Sequence, residues 1–218
     1  MKYILCFFIS YLIGTINPSY MIAKIRGFDI REKGSMNAGA SNALILLGKS
    51  LGVACALLDI AKAVFAIWLC ETLFPTLTYA FPVAGVSCIL GHIFPFYMKF
   101  RGGKGLACLG GMVLAFDWRV FLVMLAFEIV VALVTKYICF VPLTASVIFP
   151  GVYGIMRADL WGALILLIAT SVMLYKHKEN LDRIKNGTEM RLTFLWNKDK
   201  ELDRMNITEE EKAQGRIE

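Results

Sequence analysis

Three polar segments interrupt an otherwise apolar chain, and each carries residues suited to holding an anion. The first reads Gly34-Ser35-Met36-Asn37-Ala38-Gly39-Ala40-Ser41-Asn42. Its small residues let backbone N–H groups approach a phosphate with the Ser35 hydroxyl beside them, and Ser41 or Asn42 can cap the helix that follows. An ordinary capped loop between helices has the same composition. The second reads Gly91-His92-Ile93-Phe94-Pro95-Phe96-Tyr97 and, after Met98, Lys99-Phe100-Arg101-Gly102-Gly103-Lys104-Gly105. Gly102, Gly103 and Gly105 allow close backbone approach while Lys104 supplies positive charge, although the spacing is not that of a Walker A loop. His92 lies inside an apolar stretch, where an ionisable group is costly; it is either functional or a structural imidazole bonded to a backbone carbonyl. The third runs from His177 through Asn180 to Glu189. His177 and Asn180 are three residues apart, so on a continuing helix they share a face and can point together into a polar pocket. The alternative is a solvated basic helix end anchored to headgroups.

The elements that must position these segments are membrane helices. A chain of 218 residues with 58% hydrophobic content, mean hydropathy +0.64 and 18% charged residues would leave large apolar areas wet as a water-soluble domain. At roughly 20 apolar residues per crossing, about six or seven spans fit. Hydropathy sets them near residues 3–25, 51–73, 77–98, 106–116, 120–134, 137–156 and 160–175. The fourth is too short to cross alone and begins among glycines, as a half-helix or re-entrant segment would. The first lacks a clear basic n-region and a small-residue cleavage pattern, so it reads as a retained span. The expected fold class is all-α, a polytopic membrane helix bundle of about seven transmembrane helices. Residues 1–196 form its single domain and residues 197–218 a polar tail.

Lys and Arg accumulate in one set of loops: Lys24, Arg26, Arg31, Lys33 and Lys49, then Lys99, Arg101 and Lys104, then Lys136, then the tail from Lys176. The other set holds Lys2, Arg119 and Arg157. Cytoplasmic loops retain the positive excess, so the amino terminus faces outward and all three polar segments face the cytoplasm. That count requires the short fourth segment to cross. The net charge of +6 lies in short loops, which favours anionic headgroups or phosphorylated substrates over nucleic acid. Six cysteines are scattered through the apolar stretches with no C-x-x-C pair and no neighbouring His, so they read as small buried hydrophobes and no metal site is expected.

In this order and at these spacings, the three segments resemble the bacterial acyl-phosphate:glycerol-3-phosphate acyltransferases. The family pattern is a G-S-x-N-x-G-A-[ST]-N loop, a G-H-x-F-P segment leading to K-x-[KR]-G-G-K-G, and an H-x-x-N-x-x-R-x-x-x-G-x-E tail. Asp59 and Lys62 match a D-x-x-K pair of the same enzymes, and the likeness covers about residues 10–192. Two positions depart from the pattern. Ile45 stands where the family carries an arginine associated with substrate phosphate, and Lys136 to Pro142 stand where it reads R-Y-V-S-x-x-S, losing both hydroxyls at Cys139 and Pro142. Either cations such as Lys49 compensate, or the acceptor or activity has changed.

The resemblance implies transfer of an acyl group from a fatty acyl phosphate to the first hydroxyl of glycerol 3-phosphate, giving lysophosphatidic acid and phosphate in a bacterial inner membrane. The donor is already activated, so no cofactor, metal or covalent intermediate is required. Ser35, His92, Lys104 and His177 are the catalytic candidates. Asn37, Asn42, Gly102, Gly103, Gly105, Asn180 and Glu189 are the substrate-binding ones. His92, His177 or the substrate's own phosphate can take the hydroxyl proton. Expected partners are the two substrates, the bilayer and a soluble enzyme that forms the acyl phosphate. Acylation of a different polyol phosphate, and non-catalytic transport or binding of an organic phosphate, are the alternatives.

Overall fold

The computed structural model describes residues 1–189, 191–195 and 197. Among the described residues nine α-helices follow in chain order: α1 (Lys2–Thr15), α2 (Pro18–Ile25), α3 (Ala40–Leu46), α4 (Lys49–Leu73), α5 (Ala80–Ile93), α6 (Leu106–Phe116), α7 (Trp118–Thr135), α8 (Phe140–Arg157) and α9 (Leu160–Lys185). No strand occurs among the described residues; a single bridge joins Tyr137 to Arg191. Six stretches are long and apolar enough to cross a membrane, the first being α1 with α2, and α6 is a shorter apolar helix. On α7 only Met124, Glu128 and Ala132 are buried, one stripe at helical spacing, and the outward face is apolar, as a lipid-facing helix requires. Of the polar tail expected over residues 197–218, all but Asn197 lies outside the described residues.

The first stretch is not one continuous span. It breaks at Ile16 and Asn17, because Pro18 cannot continue the hydrogen-bond ladder of α1, and Asn17 restarts the helix by accepting from the Tyr20 N–H at 2.8 Å. A break inside apolar surroundings is tolerated only where other groups satisfy the freed carbonyls. Here Lys62 Nζ donates to the Ile16 carbonyl and the Tyr97 hydroxyl to that of Thr15 at 2.7 Å.

Helices α1 and α5 run parallel and close. Ser10 donates to the Ala84 carbonyl at 2.6 Å, and a side chain at Gly14 or Gly91 would collide with the backbone of Cys88 or Tyr11. Small residues let helix backbones approach in a membrane, where no hydrophobic force draws helices together. Phe116, the last residue of α6, packs on Phe81 at the start of α5 and on Phe149 and Tyr153 late in α8. The short α6 therefore does reach the end of the bundle opposite its glycine-rich start. It manages this at 11 residues because the segment leading to it is sunk into the bundle: the Gly102 and Gly103 N–H groups bond back to the Ile93 and His92 carbonyls, each at 3.0 Å.

Candidate active site

A cavity of about 220 Å³ opens at the end of the bundle where the three polar segments meet. Ser35 and Asn37 from the first segment, His92 and Lys104 from the second, and His177, Asn180 and Glu189 from the third all line it. Leu106 and Ala107, in the first turn of α6, line it as well. Gly105, the N-cap of that helix, has no side chain to cap it, so the first N–H dipoles are left to the same space as Lys104.

Lys104 Nζ donates to Asn180 Oδ1, Asn180 Nδ2 donates to Glu189 Oε1 at 2.6 Å, and Glu189 Oε2 pairs with Arg183 Nε at 2.7 Å. The lysine thus leans on a neutral amide, and the carboxylate stands one link further away. Burial, with Arg183 adding like charge, pushes the Lys104 ammonium down to about 8. The segment after α9 folds back over this side, with the Leu192 N–H bonding to the Lys136 carbonyl at 2.9 Å, and so delivers Glu189. The His177 Nδ1 lies 2.7 Å from the Met173 carbonyl, an acceptor only, so Nδ1 carries the proton and the neutral ring keeps a lone pair on Nε2.

His92 belongs to a buried cluster. Asp59 Oδ1 pairs with Lys62 Nζ at 2.6 Å, and His92 Nδ1 lies 3.0 Å from Lys62 Nζ and 3.4 Å from Asp59 Oδ1. All three side chains are less than a tenth exposed. Gly103 packs directly on the imidazole, where a Cβ would fall on Nε2. This seats the Lys104 loop on His92. The sequence suggested no histidine near a cysteine, yet the fold brings Cys108 within 4.8 Å of His92 and Asp59, a ligand set of metal-binding type. The Lys62 ammonium already fills the cationic position among them, so a metal ion there would meet like charge.

Several expected binders do other work. Asn42 is fully buried and does not line the cavity: its Nδ2 donates to the Ile30, Lys33 and Asn37 carbonyls at 2.8–3.0 Å, and its Oδ1 accepts from the Ser35 N–H at 2.9 Å. It shapes the loop that presents Ser35. The N–H groups of Gly102 and Gly103 are spent on α5, and Gly105, at φ +92°, turns the chain into α6. Arg31 ties this loop to the second segment, chelating Asp29 at 2.6 and 2.9 Å and donating to the Met98 carbonyl at 2.6 Å. That guanidinium holds the Asp29 carboxyl well below the usual range.

Ile45 is buried in a second apolar cluster with Ala23, Ile30, Leu46, Cys55 and Met98 rather than on the cavity wall. Lys49 is exposed and does not line the cavity; the further cation that does is Arg183. Cys139 and Pro142, where the family has hydroxyls, do line it. Burial pushes the Cys139 thiol up to about 12, so it stands as a neutral small group and not a nucleophile. Asp59 and Arg183 are the charged cavity residues, among those described, that sequence reasoning left out of the site, although the D-x-x-K pair and the third motif contained both.

Fold and cavity together define a polytopic helical membrane protein with a cationic cleft at one end. Residues 4–187 match the family model for glycerol-3-phosphate acyltransferase, and the chain belongs to that family. A relative named glycerol-3-phosphate acyltransferase 2 from Thermotoga maritima is 35% identical over 188 residues, covering 86% of this chain and 95% of the relative. The glycerol-3-phosphate acyltransferase of Clostridioides difficile is 37% identical over 199 residues, covering 88% and 96%. Among solved structures, PlsY, an integral membrane glycerol 3-phosphate acyltransferase, matches in its glycerol 3-phosphate form with TM-score 0.81 and 28% identity, covering 89% of this chain and 98% of that one. Its lysophosphatidic acid form matches with TM-score 0.78 and 27% identity, covering 89% and 97%. The transporter alternative loses its ground with this membership.

Asn42 provides a test of the loop geometry. Asn42→Ala leaves three carbonyls and one N–H without their partner, the Ile30 carbonyl fully buried and the others partly so, at about 1–3 kcal/mol for a fully buried group and less for the rest, so a loss of about 3 kcal/mol is expected. Asn42→Asp should cost at least as much, because three of the four bonds need a donor. Thermal unfolding in detergent reads this as a midpoint lowered by roughly 6 °C or more in both variants. An unchanged midpoint with a raised KM would instead make Asn42 a substrate ligand.

Proposed function

We propose that the cavity transfers the acyl group of a fatty acyl phosphate to glycerol 3-phosphate. The observation that carries this reading is the convergence of Lys104, the uncapped start of α6 and His177 on one cleft. The glycerol hydroxyl attacks the acyl carbon, the bond from that carbon to the phosphate oxygen breaks, and the hydroxyl proton passes to the His177 Nε2 lone pair and on to the departing phosphate. Lys104 and the α6 N–H groups stabilise the charge gathering on that phosphate, and Asn180 holds the lysine in place. Ser35 and Asn37 hold the second phosphate, with Arg183 and its buried partner Glu189 completing the charge of the cleft. His92 positions the Lys104 loop through Gly103. Nothing in this scheme draws on a metal or cofactor, because the mixed anhydride is already activated.

The acyl chain needs an apolar berth beside the cavity. A groove between α6, α7 and α8 meets that need, and Leu106 lines both it and the cavity. Acylation of a different polyol phosphate is favoured by one observation, the loss of hydroxyls from the wall at Cys139 and Pro142.

The Lys and Arg bias further supports a cytoplasmic mouth in a bacterial inner membrane, with a soluble enzyme delivering the acyl phosphate. Membrane-impermeant thiol labelling of intact cells, with a cysteine engineered at Lys33, tests the orientation: protection is expected, and outside labelling would overturn it. For the chemistry, purified protein in detergent receives acyl phosphate with glycerol 3-phosphate or another polyol phosphate, and released phosphate is measured. Lys104→Ala should lose roughly a hundredfold or more in turnover, the scale on which preorganised electrostatic contacts act, and Lys104→Arg should recover part of it. Alanine turnover within threefold of wild type, at comparable stability, would reduce Lys104 to a headgroup anchor.

A further inference from the structure

Glu128 on α7 is an ionisable side chain at membrane depth to which the acyl-transfer chemistry gives no role. It is 6% exposed and lines the apolar groove beside Leu106 and Leu109 of α6, Phe121 and Met124 of α7 and Val141 of α8. Its Oε2 accepts from the Thr144 hydroxyl at 2.6 Å, which ties α7 to α8. Its Oε1 is buried with no hydrogen-bond partner among the described residues. A lock between helices accounts for the first oxygen and leaves the second as a cost, since a buried oxygen of a carboxylate without a partner is destabilising whether the group is charged or neutral. The unpaired atom belongs to a side chain that lines the groove, so a small turn of that side chain would present it to an occupant.

The position along the groove narrows what that occupant carries. Glu128 and Phe121 are seven residues apart on α7, about 10 Å along the helix axis, with Glu128 nearer the end that leads into Lys136 and the cavity. Its partner Thr144 lies one turn into α8, just past Cys139 and Pro142 of the cavity wall. Glu128 therefore stands beside the part of the chain closest to the reacting carbonyl, and Phe121 beside the part further in.

We propose that Glu128 is a specificity-determining residue for the acyl donor, its Oε1 pairing with a hydroxyl on the carbonyl-proximal half of the acyl chain, so that the groove takes hydroxyacyl chains in preference to plain ones. The inference rests on the groove being the acyl-chain site of the proposed reaction. A hydroxyl suits the position because it can donate to a carboxylate or exchange bonds with a carboxylic acid, while a plain methylene leaves Oε1 as it is. A site built to bond a hydroxyl discriminates well against the analogue that lacks it, because the protein's own polar atom is then stranded.

The test compares acyl phosphates of equal length with and without a hydroxyl near the carbonyl, competing for glycerol 3-phosphate. Wild type should favour the hydroxyacyl donor in kcat/KM by roughly tenfold or more, the scale of a hydrogen bond to a charged group. Glu128→Leu should lose that preference and turn over the plain donor at least as well. Thr144→Val, which removes the helix tie and leaves Oε1, should keep the preference. A donor ratio near one in wild type, or a ratio that Glu128→Leu leaves unchanged, overturns the inference while leaving the acyltransferase reading intact. If Glu128→Leu fails to fold, the ratio in Glu128→Gln decides: the amide keeps one acceptor, so the preference should fall only in part, and an unaltered ratio overturns the proposal. Wild type inactive with every acyl phosphate defeats both readings together.

Discussion

The structure turns on keeping the Lys104 ammonium charged in a cleft with no carboxylate directly on it among the described residues. Burial alone pulls that charge toward neutrality, and a carboxylate in contact would secure it but compete with any anion entering the cleft. The arrangement found is intermediate: Asn180 takes the lysine through a neutral oxygen, and Glu189 acts one bond further back while its other oxygen holds Arg183. The ammonium is oriented without being neutralised. The first turn of α6 adds N–H dipoles that carry no counter-charge, so an anion entering the cleft would meet one oriented charge and one fixed field.

Holding a loop at that position takes a rigid floor, supplied by Asp59, Lys62 and His92. Lys62 is bound on three sides, by Asp59, by His92 and by the Ile16 carbonyl that the break at Pro18 releases. One buried ammonium thus fastens α4 to α5 and to the kink between α1 and α2. The kink in turn is tied to the first segment, since Asn17 Nδ2 donates to the Ala38 carbonyl at 3.0 Å. A buried ion pair of this kind contributes little net stability but strongly penalises any arrangement that separates its members, which makes it a device for holding geometry. Gly103, lying on the imidazole, transmits that geometry to Lys104.

Hydropathy made the crossings legible, because a lipid-facing helix such as α7 declares itself by composition, and the three polar segments declared the site by interrupting it. The break at Asn17 has a local signal in the Asn17-Pro18 pair, which hydropathy summed over the whole stretch does not read. Ser35, expected as a catalytic residue, and Asn42, expected as a substrate-binding one, sit in one motif. Only the fold separates them, because the direction of Asn42 depends on carbonyls of Ile30 and Lys33 that it meets once the loop closes. Arg183 and Asp59 were visible in their motifs, but their position on the cavity wall depends on how α9 and α4 lie against the Lys104 loop. Ile45 likewise had no sequence signal that it faces an apolar cluster.

The claim that one partly desolvated ammonium performs the phosphate chemistry is tested most directly by the pH dependence of kcat/KM for wild type and Lys104→Arg. Burial sets the lysine near pH 8, and its charge is present below that value and lost above it. The account predicts a descending limb centred near pH 8 in wild type. In Lys104→Arg, weaker but permanently charged, that limb should vanish across the range where the protein stays folded. The same limb at the same pH in both proteins would contradict the account and assign the titration to another group.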